Sequence, residues 1–317
     1  MGPSRAAMMG AVEELVASHQ PVMGTVLHLR IAAADRATAE AAERFVLDEA
    51  RSLQQRLTWF DASSELSRWR AGVVDEPSPV LADLLACAAR WQERSAGAFN
   101  PAAGVLSRRW MQAVHDGVAP TRDEMAALAA TVAAPRFAVE DGRVRVLGDL
   151  ADVNVNAVAK GFVVDRVATS AAERFGLDSI LVNAGGDLRR VGDGTIVIGI
   201  EDPHRPYDNV APLERIRLGA EALATSGSAR RWFDVGGERY NQVLDPWTGW
   251  PVDAVASTSV VAPDAASADA LATIVSVLPA ERAMAFVDGV DGAAAMIVAA
   301  DGAVTADARW VARRLRA

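Results

Sequence analysis

Apolar and polar positions alternate over residues 22–33, VMGTVLHLRIAA, in a run rich in Val, Leu and Ile. A period of two predicts a strand with one face turned inward. The period then changes. Residues 37–60 and 78–97 repeat apolar positions at helical spacing, the second with Pro79 near its start and Gly97 at its end, where helices accept those residues. Thr121 and Glu124 stand at capping-box spacing and open another helix. Over 136–148, two short alternating runs flank Asp141-Gly142, the signal of a hairpin. Residues 157–176 read as a helix closed by Gly176, and 179–192 as strand, glycine turn and strand. Further strands are expected at 194–200, 213–218, 232–235, 238–244 and 257–262. Helices over 265–278 and 280–288 and a hairpin over 293–307 complete the pattern. The strands outnumber a strict strand–helix alternation, and hairpins join several of them. That predicts an α+β protein with mixed, mainly antiparallel sheets and packed helices, rather than a doubly wound parallel sheet. The expected organisation is a loose leader over 1–20 and a single domain over 21–315, in which two lobes would meet near residue 150.

Composition narrows the function classes. The chain has 317 residues, 51% hydrophobic and 23% charged, enough for a substantial core. A formal net charge of −9 argues against a nucleic-acid or anionic-membrane partner, each of which asks for a basic field. Cys87 is the only cysteine and lies in the apolar run LLACAARW, so it reads as a small buried hydrophobe. Glu13 and Glu14 interrupt the only apolar stretch near the start. No run approaches the roughly 18 apolar residues of a spanning helix. A cytoplasmic protein is expected.

Lysine is as rare as cysteine: Lys160, in NVNAVAKGFVVD, is the only one, and every other basic side chain is arginine. A compact ammonium at one place suits a phosphate or a carbonyl better than a planar guanidinium does, although a single lysine must also fall somewhere. NAGGDLR, 183–189, is a glycine turn that lets backbone approach a ligand, with Asp187 at its exit; it is also an ordinary hairpin turn. In ALATSGSARRWF, Thr225, Ser226, Ser228, Arg230 and Arg231 suit a phosphate or a solvated turn equally. In APDAASADALAT, Asp269 and Thr273 are four apart and share a helix face. They are hard oxygen donors of the kind Mg²⁺ takes beside a diphosphate, while an early-helix Asp is also favoured by the helix dipole. YNQVLDPWTGWPV, 240–252, is a strand entering a turn. None of the four histidines pairs with another at metal-ligand spacing.

Taken in order, MGT (23–25), TWFDASSELSRW (58–69), AFNP (98–101), AVAKG (157–161), NAGGD (183–187), ALATSGS (222–228), LDPWTG (244–249) and VVAPDAASADALAT (260–273) resemble the ApbE family of FAD:protein FMN transferases. The resemblance runs from about residue 20 to 310. It implies a reaction needing Mg²⁺ (or Mn²⁺), with FAD as substrate. A Thr or Ser hydroxyl of an acceptor protein attacks the FMN-side phosphorus, and AMP leaves. Carried over residue by residue, it assigns metal ligation to Asp269, Thr273 and the Ala157 carbonyl. It assigns FAD contacts to Met23, Phe60, Ala98, Phe99, Asn100, Asn154, Lys160, Asp187 and Val243. Four positions depart from the family pattern: Gln242 stands for the usual His, Asn154 and Asn100 for Asp, and Arg70 for Asn. Glutamine cannot act as a base, which moves that role to Asp245 or slows transfer. An FAD pyrophosphatase or a non-catalytic FAD-binding protein would use the same residues.

Overall fold

The computed structural model describes residues 12–207, 209–227 and 232–315. Ser228, Arg230, Arg231 and the first eleven residues of the expected leader lie outside them. The rest of that leader is a strand. β1 (Glu13–Val22) pairs antiparallel with β2 (Thr25–Ala33). Leu15 and Val22 are buried and Ala17 half-buried, an alternation that the flanking charges obscure in the sequence. Residues 22–24, expected inside a strand, instead contain the turn: Met23 and Gly24 have φ of 51° and 70°.

Three helices follow: α1 (Arg36–Leu57), α2 (Glu65–Arg70) and α3 (Pro79–Arg94). A single 3₁₀ turn, Pro101–Ala103, leads into α4 (Gly104–Asp116), which the sequence reading missed. It begins at a glycine without a side-chain cap. That glycine is required, since a Cβ there would lie 2.1 Å from the Asp152 carbonyl oxygen. After α5 (Arg122–Thr131) comes the expected hairpin of β3 (Phe137–Glu140) and β4 (Arg143–Val146).

The second half contributes α6 (Asn156–Phe175), β5 (Ser179–Ala184), β6 (Asp187–Gly192), β7 (Ile196–Ile200), β8 (Glu214–Leu218) and β9 (Ala222–Gly227). The β10–β11 hairpin (Trp232–Val235, Glu238–Asn241) and β12 (Val255–Ala262) come next. The chain closes with α7 (Ala265–Val277), α8 (Ala280–Asp288), β13 (Ala294–Ala299), β14 (Val304–Ala306) and α9 (Ala308–Arg313). One sheet of eight strands runs in the order β1-β2-β5-β6-β9-β12-β13-β14. Every pairing among the described residues is antiparallel, so the α+β expectation holds in an all-antiparallel form.

Period-two patterning gives the sheet two apolar faces. Leu27, Leu29 and Ile31 of β2 and Ile180 and Val182 of β5 point to the side covered by α1, α6 and α7. Leu188, Leu223, Val261 and Met296 point to the other, against Ile200, Ile216, Leu218 and Trp310 from β7, β8 and α9. The first core draws on residues 15–99, 137–184, 222–224 and 260–297. Leu150 is part of it. A separate apolar cluster joins 102–132 to Phe233, Val235, Tyr240, Leu244 and Trp250.

Candidate functional site

The β1–β2 and β5–β6 turns lie at the same end of the sheet, because β2 and β5 are antiparallel with Leu27 opposite Ala184. Thr25 packs over Gly185, whose φ is 61° and where a Cβ would come within 2.5 Å of Thr25 Oγ1. Both conditions select glycine. The Gly186 amide donates to Asn183 Oδ1 at 3.1 Å, closing the turn. Asp187 leaves that turn on the face covered by α6. Its carboxylate Oδ2 lies 2.6 Å from Lys160 Nζ, with side chains 2% and 15% exposed. The contact lacks the alignment of a directed hydrogen bond, so it is a close, largely buried ion pair.

At the next residue, α6 meets α7. Asp269 Oδ2 accepts the Gly161 amide hydrogen at 3.0 Å. In a regular helix that amide closes onto the carbonyl four residues back, which is Ala157. Asp269 thus competes for the donor that would saturate the Ala157 oxygen. A Cβ on Gly161 would lie 2.2 Å from the Ala265 oxygen and 2.8 Å from Asp269 Cβ, so glycine sets the close approach of the two helices. They run antiparallel, with residue 165 beside 265–266 and residue 161 beside 265–269. Stepping one turn back along α6 and one turn on along α7 brings Ala157 and Thr273 to corresponding levels. A carboxylate, a hydroxyl and a carbonyl form a hard-oxygen set suited to Mg²⁺ or Mn²⁺ that also holds substrate oxygens. Among the described residues no group of three or more His, Cys, Asp or Glu could hold a metal. A metal here would rely on the hydroxyl and the carbonyl.

The N-terminus of α7 is held by two carboxylates. Asp264, its cap, accepts the Ser267 amide at 2.7 Å. Asp165, from α6, accepts the amides of Ala265 and Ala266, each at 2.7 Å. Burial pushes the Asp165 carboxyl up to about 6, against the lowering pull of those two amides and of Arg189, with Asp264 adding to the rise. Asp165, Arg189 and Gly161 were not singled out from the sequence. The available signal was a lone carboxylate in GFVVDRV, four residues after the glycine and thus on its helix face.

The remaining predicted residues occupy other surroundings. The Met23 amide donates to Gln54 Oε1 at 2.8 Å. Phe60 is 83% exposed and meets Trp59 edge-on, with centroids 5.8 Å apart. The Arg70 guanidinium lies 5.2 Å from the Trp59 ring centroid and donates to the Leu150 and Ala151 carbonyls. The side chains of Ala98 and Phe99 belong to the main core, so any ligand contact from them must use backbone. Asn100 Oδ1 accepts from the Ala102 amide and Gln92 Nε2, and its Nδ2 donates to the Val132 carbonyl. Asn154 Oδ1 accepts the Asn156 amide, while its own amide donates to the Pro101 carbonyl; it ties the 98–101 segment to the start of α6. Gln242 is exposed and Val243 buried, with the Val243 amide on Asn241 Oδ1. Asp245, the expected substitute base, also shapes its turn: its Oδ1 accepts the Trp247 amide and its Oδ2 the Thr248 hydroxyl.

A profile of the ApbE family matches residues 23–297. A FAD:protein FMN transferase of Vibrio cholerae is 30% identical over 295 residues, covering 89% of this chain and 86% of that one. One of Treponema pallidum is 30% identical over 261 residues, covering 74% and 71%. In fold, the chain is similar to the ApbE protein of Thermotoga maritima, with a TM-score of 0.82 at 24% identity over 96% of this chain and all 100% of that one. It is likewise similar to the flavin transferase ApbE of Vibrio cholerae, with a TM-score of 0.75 at 24% identity over 95% and 99%.

Proposed function

The chain belongs to the ApbE family, and from that premise we propose that it transfers the FMN half of FAD to a Thr or Ser hydroxyl of an acceptor protein, releasing AMP. The observation that carries this reading is the convergence of three elements on one small site. The only lysine pairs with the buried Asp187, and Asp269 bonds the next residue of the same helix. In this reading Asp269, Thr273 and the Ala157 carbonyl hold a divalent metal. Bound there, Mg²⁺ or Mn²⁺ would neutralise charge on the transferring phosphoryl group and the departing phosphate.

The chain's own side chains account for the rest. Lys160, kept in place by Asp187, presents a positive charge to the FMN phosphate. The 183–187 turn brings backbone close to the nucleotide, Met23 and Asn154 flank it, and exposed Phe60 offers a ring for stacking. The acceptor oxygen forms its bond to the FMN-side phosphorus as the bond to the AMP oxygen breaks. The phosphorus under attack keeps its riboflavin ester, so the acceptor oxygen must bond substantially in the transition state, and a base that takes its proton helps. Gln242 therefore slows the reaction without abolishing it, and the hydroxyl proton leaves to solvent or to phosphate oxygen. The proposed site of action is the cytoplasm; no helix of the described residues is long and apolar enough to cross a membrane.

The test is chromatography of FAD incubated with the protein, with Mg²⁺ and with chelator, beside Asp269→Ala and Gln242→His. Metal-dependent AMP in excess of free FMN, lost in Asp269→Ala, is the expected result. Gln242→His should raise the rate by about 10²–10⁴, the usual worth of a positioned base. Equal AMP and free FMN would mean hydrolysis instead, for which the water-exposed Gln242 leaves room. FAD that stays bound and intact would mean a binding protein.

A further inference from the structure

The start of α7 is gripped from two other elements. From α6, Asp165 takes the first two amides of the helix, at 2.7 Å each. From β6, Arg189 Nη1 donates to the carbonyl of Pro263, just before the helix, at 2.5 Å and to the Ala220 carbonyl at 3.2 Å. Arg189 Nε lies 3.6 Å from Asp165 Oδ1, and both side chains are under a fifth exposed. On the same face of β6, two residues away, Asp187 pairs with Lys160 of α6. Two residues of strand advance about 6.8 Å and five residues of helix about 7.5 Å, so two ion pairs of opposite sense lock α6 to β6 in one register. The Asp165 pair also reaches α7.

That matters on the side of α7 turned to α6. This face carries the small residues Ala265, Ala268 and Ala272, which pack closely but offer shallow ridges to resist sliding; elsewhere α7 is tied to β12, where Thr258 Oγ1 meets the Ala272 carbonyl and Ser276 Oγ at 2.8 Å each. We propose that Asp165 is a positioning residue for the metal site: with Arg189 it sets how far α7 lies along α6, and thereby whether Asp269 and Thr273 come level with the Ala157 carbonyl. The role differs from that of Asp264, which caps α7 from within its own chain segment and satisfies the Ser267 amide without tying the helix to α6. This inference rests on the proposed metal ligands.

The experiment measures Mn²⁺ affinity by electron paramagnetic resonance, and amide exchange over residues 265–269, in wild type and in Asp165→Asn, Asp264→Ala and Asp269→Ala. Asp165→Asn is nearly isosteric and keeps one acceptor. It should weaken Mn²⁺ binding by about tenfold or more, the usual cost of losing a group that orients a ligand, and speed exchange at Ala265 and Ala266. Asp264→Ala should speed exchange at Ser267 and lower Tm, yet hold Mn²⁺ within about twofold of wild type, since the tie to α6 stays. Arg189→Lys keeps the charge, loses the two-pronged geometry, and should give a smaller loss of affinity. Wild-type Mn²⁺ affinity in Asp165→Asn overturns the proposal, and so does an equal loss in Asp264→Ala. Unchanged affinity in Asp269→Ala instead removes the metal reading itself, and the positioning role falls with it.

Discussion

At the scale of single residues, Asp165 shows how far the fold can move a group from its ordinary chemistry. Its carboxyl rises from 3.8 in the unconstrained chain to about 6 through burial, with Arg189 and Asp264 the charged groups that face it. The folded protein therefore holds this proton more tightly than the unfolded chain does. Stability from this group is greatest below about pH 4 and is lost as pH climbs to about 6. Replacing it by Asn removes that slope. Denaturation at pH 4 and pH 7 should find the balance between wild type and Asp165→Asn moving toward wild type at pH 4 by about 2 kcal/mol, since the unfolded carboxyl is already partly ionised at pH 4. A pH-independent difference would mean the carboxyl titrates normally. Lys160 was conspicuous in the sequence because no other lysine exists, but its partner was not. Pairing with Asp187 is a tertiary fact. The part Asp245 plays in its turn, through both oxygens, was likewise seen only in the structure.

At the scale of elements, α6 and α7 carry the site, and both were legible from their periodicity. What the pattern does not encode is their separation. Gly161 looks like a helix-weakening residue in sequence and proves to be the contact point of the two helices. Gly161→Ala should raise helix propensity yet destabilise the protein by about 1–3 kcal/mol, because the added methyl meets backbone that cannot yield. A higher denaturation midpoint in that variant would show that the helices can move apart without cost. The elements that escaped the sequence reading did so for different reasons. α2 and α9 are six residues each, too short to show a period. α4 starts uncapped at a glycine chosen for the Asp152 contact. β1 has polar residues on its exposed face that resemble a solvated tail.

At the scale of the molecule, the cluster around Trp110 connects two distant stretches. Trp110 meets Phe233, Tyr240 and Trp250 with ring centroids 5.0–5.4 Å apart and donates from Nε1 to the Gly249 carbonyl at 2.9 Å. Trp110→Ala should cost about 3–5 kcal/mol and release the 242–250 segment first. Limited proteolysis should then cut there while the main core stays intact; simultaneous loss of both would mean one cooperative unit. The sequence by itself determined the fold class, most of the strands and helices, and the order of motifs that marks the family, because each is written in local period, turn chemistry and residue identity. Only the tertiary structure decided that Asp187 partners Lys160, that Asp165 and Arg189 grip α7, and that a third apolar cluster joins residues 102–132 to 233–250. Those contacts join residues far apart in the chain, and their geometry depends on how strands and helices stack.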